Sequence, residues 1–262
     1  MDSIKPNLNS GIRSHIQMPK LLLKRFHNQK NQFFYYDVKK GFIGTKGTAE
    51  SINTELGYYS LDAEHYLSDH IEAPFGKILS FIDKLDFDKG YFQLPSNFEY
   101  TTRSFIYSLL SRDPLTLRSF NKHSIFSQFM PDQTVHDLIA LNGISTAFSK
   151  NIFSEYSLTF MVNRTKIPFV LPLSGLYNYK IADYNIINLP ISPMICICLL
   201  ENAYATQITN EHGEISMFSV DSPEIIMRIN TWAFRGQKNR NWGCVICPER
   251  DELDRLLIDT TV

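Results

Sequence analysis

Three neighbouring stretches decide the fold class: Ser157-Leu-Thr-Phe-Met-Val-Asn163, Tyr184-Asn-Ile-Ile-Asn-Leu-Pro-Ile191 and Met194-Ile-Cys-Ile-Cys-Leu-Leu-Glu201. Each is short, rich in aliphatic, β-branched and aromatic residues, and bounded by turn-forming residues, the profile of a strand. The third is apolar along almost its whole length and reads as a buried strand. Residues 167–173, 205–209, 214–220 and 242–247 read as further strands. Two helices interrupt them. One starts at Asp221-Ser222-Pro223-Glu224, where a capping residue precedes Pro at the first helical position. The other starts at Pro248 and carries Leu253, Leu256 and Leu257.

Upstream the period changes. Leu67, Ile71, Phe75, Ile78, Ile82 and Leu85 recur at spacings of three and four, one apolar face of a long helix. Pro74 inside that run demands a kink or a restart. Further helices are expected over 97–112 and 134–152. Nearer the start a short helix or turn falls at 18–26, and the aromatic strand Gln32–Val38 leads into a Gly-rich turn at Gly41, Gly44 and Gly47. The class is therefore α+β, a helical centre with a mostly antiparallel or mixed sheet built largely by the C-terminal half. At 262 residues, one domain over 1–262 is expected, with a loose stretch at 1–12, a mainly helical part at 13–155 and a strand-rich part at 156–262.

Composition narrows the class further. With 44% hydrophobic and 20% charged residues the chain has globular rather than disordered character. Residues 1–48 hold nine Lys/Arg against Asp2 and Asp37, whereas 49–100 hold ten Asp/Glu against three Lys. The two segments either pair with each other or present a basic and an acidic face. The start, Met1-Asp-Ser-Ile-Lys-Pro, has no apolar signal core, and the longest apolar run is too short for a bilayer, so a cytoplasmic protein without a membrane partner is expected. Cys196-x-Cys198 and Cys244-x-x-Cys247 have the count of a zinc site, but packing as small hydrophobes explains them better.

Four constellations carry chemistry. His15, in an irregular basic segment with Arg13 and Lys20, suits proton transfer near neutral pH. His65, Asp69 and Glu72 fall on one face of the long helix and could hold a divalent metal. Arg103, Arg112 and Arg118 surround a helix end, where a guanidinium complements the dipole or grips a phosphate or carboxylate. Residues 228–243 carry Arg228, Arg235, Lys238 and Arg240 with Trp232, Trp242 and no acid, a surface suited to a phosphate backbone and bases. No phosphate-cradling Gly loop, dinucleotide fingerprint, nucleophile-elbow Ser or paired zinc-protease His is present, which disfavours the common nucleotide-dependent and serine-hydrolase classes.

Taken together the chain resembles the bacterial and phage family known as domain of unknown function four-two-three-eight. Its His-x-x-Pro opening leading to Leu and Phe looks like His15, Pro19, Leu23 and Phe26. An Asn and a Tyr before the first long helix are similar to Asn53 and Tyr59. The Ile-Glu pair is similar to Ile71-Glu72, and the Arg, Pro, Arg helix end to Arg112, Pro114 and Arg118. Pro190-Ile-Ser192-Pro193 and Asn230 complete the match. The chain departs from the family where Ser-Asp precedes a Pro, because Phe169–Ser174 lacks that Asp. The resemblance implies no reaction, but it points to His15, Glu72, Arg112 and Asn230 as a functional set, and to the accessory cargo of mobile elements. The leading expectation is a nuclease-like effector of the phage-defence or toxin type. In it His15 is general acid or base, and Glu72 with Asp69 or His65 is metal ligand or partner base. Arg13, Arg112 and Arg118 hold phosphate, and Arg235, Lys238 and Arg240 guide the polymer. The alternatives are a non-catalytic protein that binds nucleic acid or a protein partner, and a domain that binds a nucleotide-like small molecule.

Overall fold

In the computed structural model, residues 13–89, 93–115, 132–181, 183–208 and 217–259 are described. The loose stretch expected at 1–12 and Arg118 lie outside them.

The architecture is α+β, with most of the strands in the C-terminal half. Strand β5 (Tyr156–Asn163) belongs to a five-stranded sheet ordered β10-β5-β9-β8-β7, with β7 (Tyr177–Ile181), β8 (Tyr184–Pro190), β9 (Ile195–Glu201) at its centre and β10 (Met217–Val220). Every pairing in it is antiparallel except β10 with β5. Both faces of β9 are covered, which is why its sequence shows no polar alternation. Leu158, Phe160, Leu189, Ile197 and Leu199 face a core shared with the N-terminal helices. Met161, Ile186, Cys196, Cys198 and Leu200 face a second core, under α7 (Pro223–Asn239) and α8 (Arg250–Asp259).

A four-stranded sheet ordered β3-β2-β11-β6 joins the halves, with β2 (Phe33–Asp37), β3 (Phe42–Gly47), β6 (Leu171–Pro172) and β11 (Cys244–Cys247). Here two expectations fail. Gly41 does lie in the turn between β2 and β3, but Gly44 and Gly47 are in strand β3, because their missing side chains make room for the rings of Tyr35 and Phe33 on β2. Residues 202–208 form the helix α6 (Asn202–Ile208) and not the strand expected from 205 onward. Their β-branched residues follow a chain reversal at the end of β9, where the Asn202 side chain holds Ser157 and the Ser154 carbonyl.

The helical part begins with β1 (Arg13–His15), paired antiparallel with β4 (Thr54–Leu56), and α1 (Lys20–Arg25). Helix α2 (Leu61–Tyr66) runs into a π-helix (Leu67–Glu72) and then α3 (Ala73–Ile82), with Pro74 in its first turn. The wide turn absorbs what a Pro without an N–H would otherwise break. Helices α4 (Phe98–Ser111) and α5 (Asp132–Lys150) complete this half, α4 ending at Arg112. Phe75 of α3 stacks on Phe105 of α4 with ring centroids 3.9 Å apart. The basic and acidic segments do pair, at Lys20–Glu50 and Arg25–Asp83.

Candidate functional site

Arg112 sits where α4 ends, and its side chain is only 2% exposed. A guanidinium cannot shed its charge, so burial obliges it to find acceptors. Nη1 donates to Glu72 Oε1 at 2.9 Å, Nη2 donates to the main-chain oxygen of His15 at 2.6 Å, and the group lies 5.6 Å from the centre of the Tyr59 ring. Three residues from distant parts of the chain thus meet at one point. Nε of Arg112 and Nδ1 of His15 have no hydrogen-bond partner among the described residues.

The elements hold this point firmly. Tyr59 donates its hydroxyl to the Ile16 carbonyl at 2.9 Å, and Ile16 N–H donates to the Asn53 carbonyl at 2.9 Å. Asn53 is in the left-handed region (φ 58°), and its amide oxygen, in the orientation that satisfies it, accepts from the N–H groups of Gln17 and Met18. The His15 segment is therefore pinned by the two residues Asn53 and Tyr59.

Glu64 joins from α2. An α-helix makes two turns in about 7.2 residues, but the π-helix takes nearly one residue more per turn, so positions 64 and 72 fall on the same face. Burial raises the Glu64 carboxyl above the usual range, against the pull of Ser14 and Arg112, and its Oε1 is buried without a partner among the described residues. Asp137 on α5 accepts from Ser60 N–H at 2.9 Å and adds further negative potential at Glu64. Its neighbour His136 takes the Tyr58 carbonyl at 3.0 Å through Nδ1 and stacks on the Tyr58 ring, centroids 3.9 Å apart.

Burial first, then Arg112 and Lys20, lower the pKa of His15 to about 4, so at neutral pH it is an uncharged imidazole. A general acid at that pH it is not. Glu64, its carboxyl raised by burial, and Glu72, which faces Arg112, are the two carboxyl groups of this cluster.

Several expected residues go elsewhere. Asn230 is fully buried on α7, where Oδ1 accepts from Val170 N–H at 3.1 Å and Nδ2 donates to Pro168 O at 2.8 Å and Glu252 Oε1 at 2.9 Å. It clamps the C-terminal half and stands apart from Arg112. The trio of His65, Asp69 and Glu72 does not assemble. The π-helix turns Glu72 inward while His65 and Asp69 stay exposed, and among the described residues no three His, Cys, Asp or Glu side chains are placed to hold a metal. Cys196 and Cys198 lie on β9 and Cys244 and Cys247 on β11, in different sheets, all buried, and burial pushes the thiols of Cys196, Cys244 and Cys247 up. Arg103 is occupied by Glu99 and the carbonyls of Phe153 and Tyr156. Arg13 is on β1, its backbone opposite Leu56.

The basic stretch is mostly helix α7. Trp232 stacks on Tyr179 at 4.1 Å, on the core side, while Arg228 and Arg235 are exposed and Lys238 lies in the last turn. The end of α7 is clipped to the site. Arg240 forms an ion pair with Asp113, next to Arg112. Gln237 accepts from Ser174 N–H at 3.2 Å, while the Ser174 carbonyl accepts from Gln17.

Glu64, His136 and Asp137 escaped the sequence reading. Only a wide helical turn aligns Glu64 with Glu72, and nothing local ties α5 to the loop before α2.

The fold and site define an α+β chain with a buried Arg–carboxylate cluster beside a basic helix. Compared with known proteins, the chain matches no family model, no curated protein and no solved structure. His15 stands four residues before Pro19, one more than the His-x-x-Pro spacing of the family it resembles. Among the described residues no helix is long and apolar enough to cross a membrane.

Proposed function

We propose that the chain is an effector enzyme acting on nucleic acid by acid–base chemistry, of the phage-defence or toxin type, and that it belongs with the family it resembles. The observation that carries the proposal is the meeting of His15, Glu72 and Arg112, joined by Glu64, at one buried point. Two carboxyl groups in unlike surroundings, one raised by burial and one paired with a cation, are a usual setting for an acid and a base. The exposed Arg228 and Arg235, with Lys238, give α7 a basic side for a polymer, and Arg240 ties that helix to the site.

The test is purified protein with labelled RNA and DNA, with and without divalent metal, comparing wild type with Glu72→Gln and Glu64→Gln. Substrate turnover lost in both variants while they stay folded is the expected result. No turnover of either polymer under any condition rejects the enzyme.

A second reading is favoured by the completeness of Arg112's burial. Its bond to the His15 carbonyl also serves as a strut, leaving a binding protein that uses the α7 side alone. That reading predicts salt-sensitive binding that survives Glu72→Gln and falls when Arg228, Arg235 and Lys238 are reversed to Glu.

A further inference from the structure

The outer face of α7 is divided along its length. At about 3.6 residues per turn, Arg228, Arg235 and Asn239 fall within about 20° of one line. Trp232 and Gly236 lie on one flank of that line and Lys238 on the other. Arg228, Arg235, Gly236 and Asn239 are exposed, and Trp232 and Lys238 are half-buried. Arg240, Arg250 and Arg255 each face a carboxylate, whereas among the described residues Arg228, Arg235 and Lys238 form no ion pair. The acid of the first turn, Glu224, accepts from the Ser222 hydroxyl at 2.6 Å.

The Trp232 indole is presented rather than hidden. Its inner face stacks on Tyr179, centroids 4.1 Å apart and planes 16° from parallel, which fixes the ring. Tyr179 is buried and Trp232 is not, so the indole surface left in solvent belongs to the other face and the rim. A helical side chain leans toward the N-terminus and covers the residue four positions before it. The residue placed to cover Trp232 is Gly236, which has no side chain, although a Cβ there would meet nothing within 4 Å. Glycine weakens a helix interior, and no internal contact calls for it here. A fixed, flat, uncovered ring therefore stands with an unpaired guanidinium about one turn to either side.

We propose that this face of α7 binds single-stranded nucleic acid, with one base on the Trp232 indole and the adjoining phosphates at Arg228 and Arg235. The inference rests on the reading of α7 as the polymer's side and adds the form of the polymer. An indole takes a base by its flat face, and inside a duplex both faces of a base are already stacked. Phosphates alone would suit the guanidinium groups in either form, so the ring is what selects the unpaired strand.

The chain has two Trp, so Trp242→Phe leaves Trp232 as its only tryptophan. In that background the full chain is titrated with oligothymidylate, oligouridylate, a DNA duplex of equal length and polyglutamate, at low and high salt. Both single strands are expected to quench the Trp232 emission and to bind about tenfold or more tighter than the duplex. Gly236→Leu, which covers the indole, should weaken the single strands by about tenfold while the melting temperature holds or rises. Duplex bound as tightly as the single strands, or single-strand binding unaltered by Gly236→Leu, overturns the inference. If Arg228→Glu with Arg235→Glu still abolishes that binding, α7 remains the polymer's side. Polyglutamate bound as tightly as the oligonucleotides overturns the inference in favour of an acidic protein partner. No binding of any polymer removes both the inference and α7 as the polymer's side, and leaves turnover at Arg112 to its own test.

Discussion

Among single residues, Arg112 and Glu72 control the helical half. Burying a guanidinium costs several kcal/mol that only its partners offset, so removing one partner strands the other charge. Glu72→Ala is expected to destabilise by about 3 kcal/mol, less than the upper range because Glu72 is 25% exposed. Arg112→Leu with Glu72→Leu should cost clearly less than the two single changes added, since the pair leaves together. Urea unfolding of the four proteins checks this, and additive losses would mean the two groups do not support each other. This much was legible beforehand: His15, Glu72 and Arg112 stood out as polar residues at irregularities or ends of helices. Asn230 is singled out only by the family resemblance and works elsewhere, because a lone polar residue on an apolar helix face announces burial without saying which buried neighbour it satisfies. That neighbour is Val170, Pro168 and Glu252 together. Asn230→Ala leaves the Val170 N–H and the Pro168 carbonyl buried and unpaired, with a cost of about 2–4 kcal/mol. Arg112-dependent activity should fall only as far as folding does, which separates a clamp from a site residue.

Among the elements, β5, β8 and β9 were legible because they are largely buried and apolar along most of their length, whereas β7, which alternates buried and exposed residues, was not expected. The errors come from residues whose conformation is set by a distant partner. Gly44 and Gly47 suggest a turn when read locally, but they are the flat floor under Tyr35 and Phe33. A methyl group at Gly44 runs into the Tyr35 ring, so Gly44→Ala should destabilise by about 1–3 kcal/mol, as overpacking does. Ala at Gly41, where nothing lies near but φ is 68°, should cost only the roughly 1 kcal/mol of left-handed backbone strain. Thermal midpoints of the two variants should rank in that order. The π-helix is the other element that local reading misses. Pro74 revealed an irregularity but not its form, and the form is what carries Glu72 inward beneath Arg112 and aligns it with Glu64.

For the molecule taken together, the same cluster shapes how stability follows pH. His15 takes up its proton near pH 4 in the fold and near 6.5 when the chain is unfolded. Between those values the unfolded chain binds the extra proton, so the contribution of the neutral ring is complete above about pH 6.5 and is lost as pH falls toward 4. Glu64 and Glu252 act in the opposite sense. Burial raises both carboxyls, so what they contribute is complete in acid and declines as pH rises past their unfolded range. The two trends therefore oppose each other over the acid range. Replacing His15 by Gln removes the titrating group without emptying its place. A difference of one pH unit between folded and unfolded titration is worth about 1.4 kcal/mol. Discounted for the partly exposed ring, the variant should lose roughly 1–2 kcal/mol less than wild type between pH 7 and 4.5. Glu252→Gln, which keeps an oxygen for the Asn230 amide, should instead gain relative stability at neutral pH and leave the acid limb unaltered. Urea titrations at four or five pH values would resolve both limbs. Parallel acid limbs for wild type and His15→Gln would mean that His15 is no more buried than a surface histidine, and the compact cluster around Arg112 would lose one of its walls.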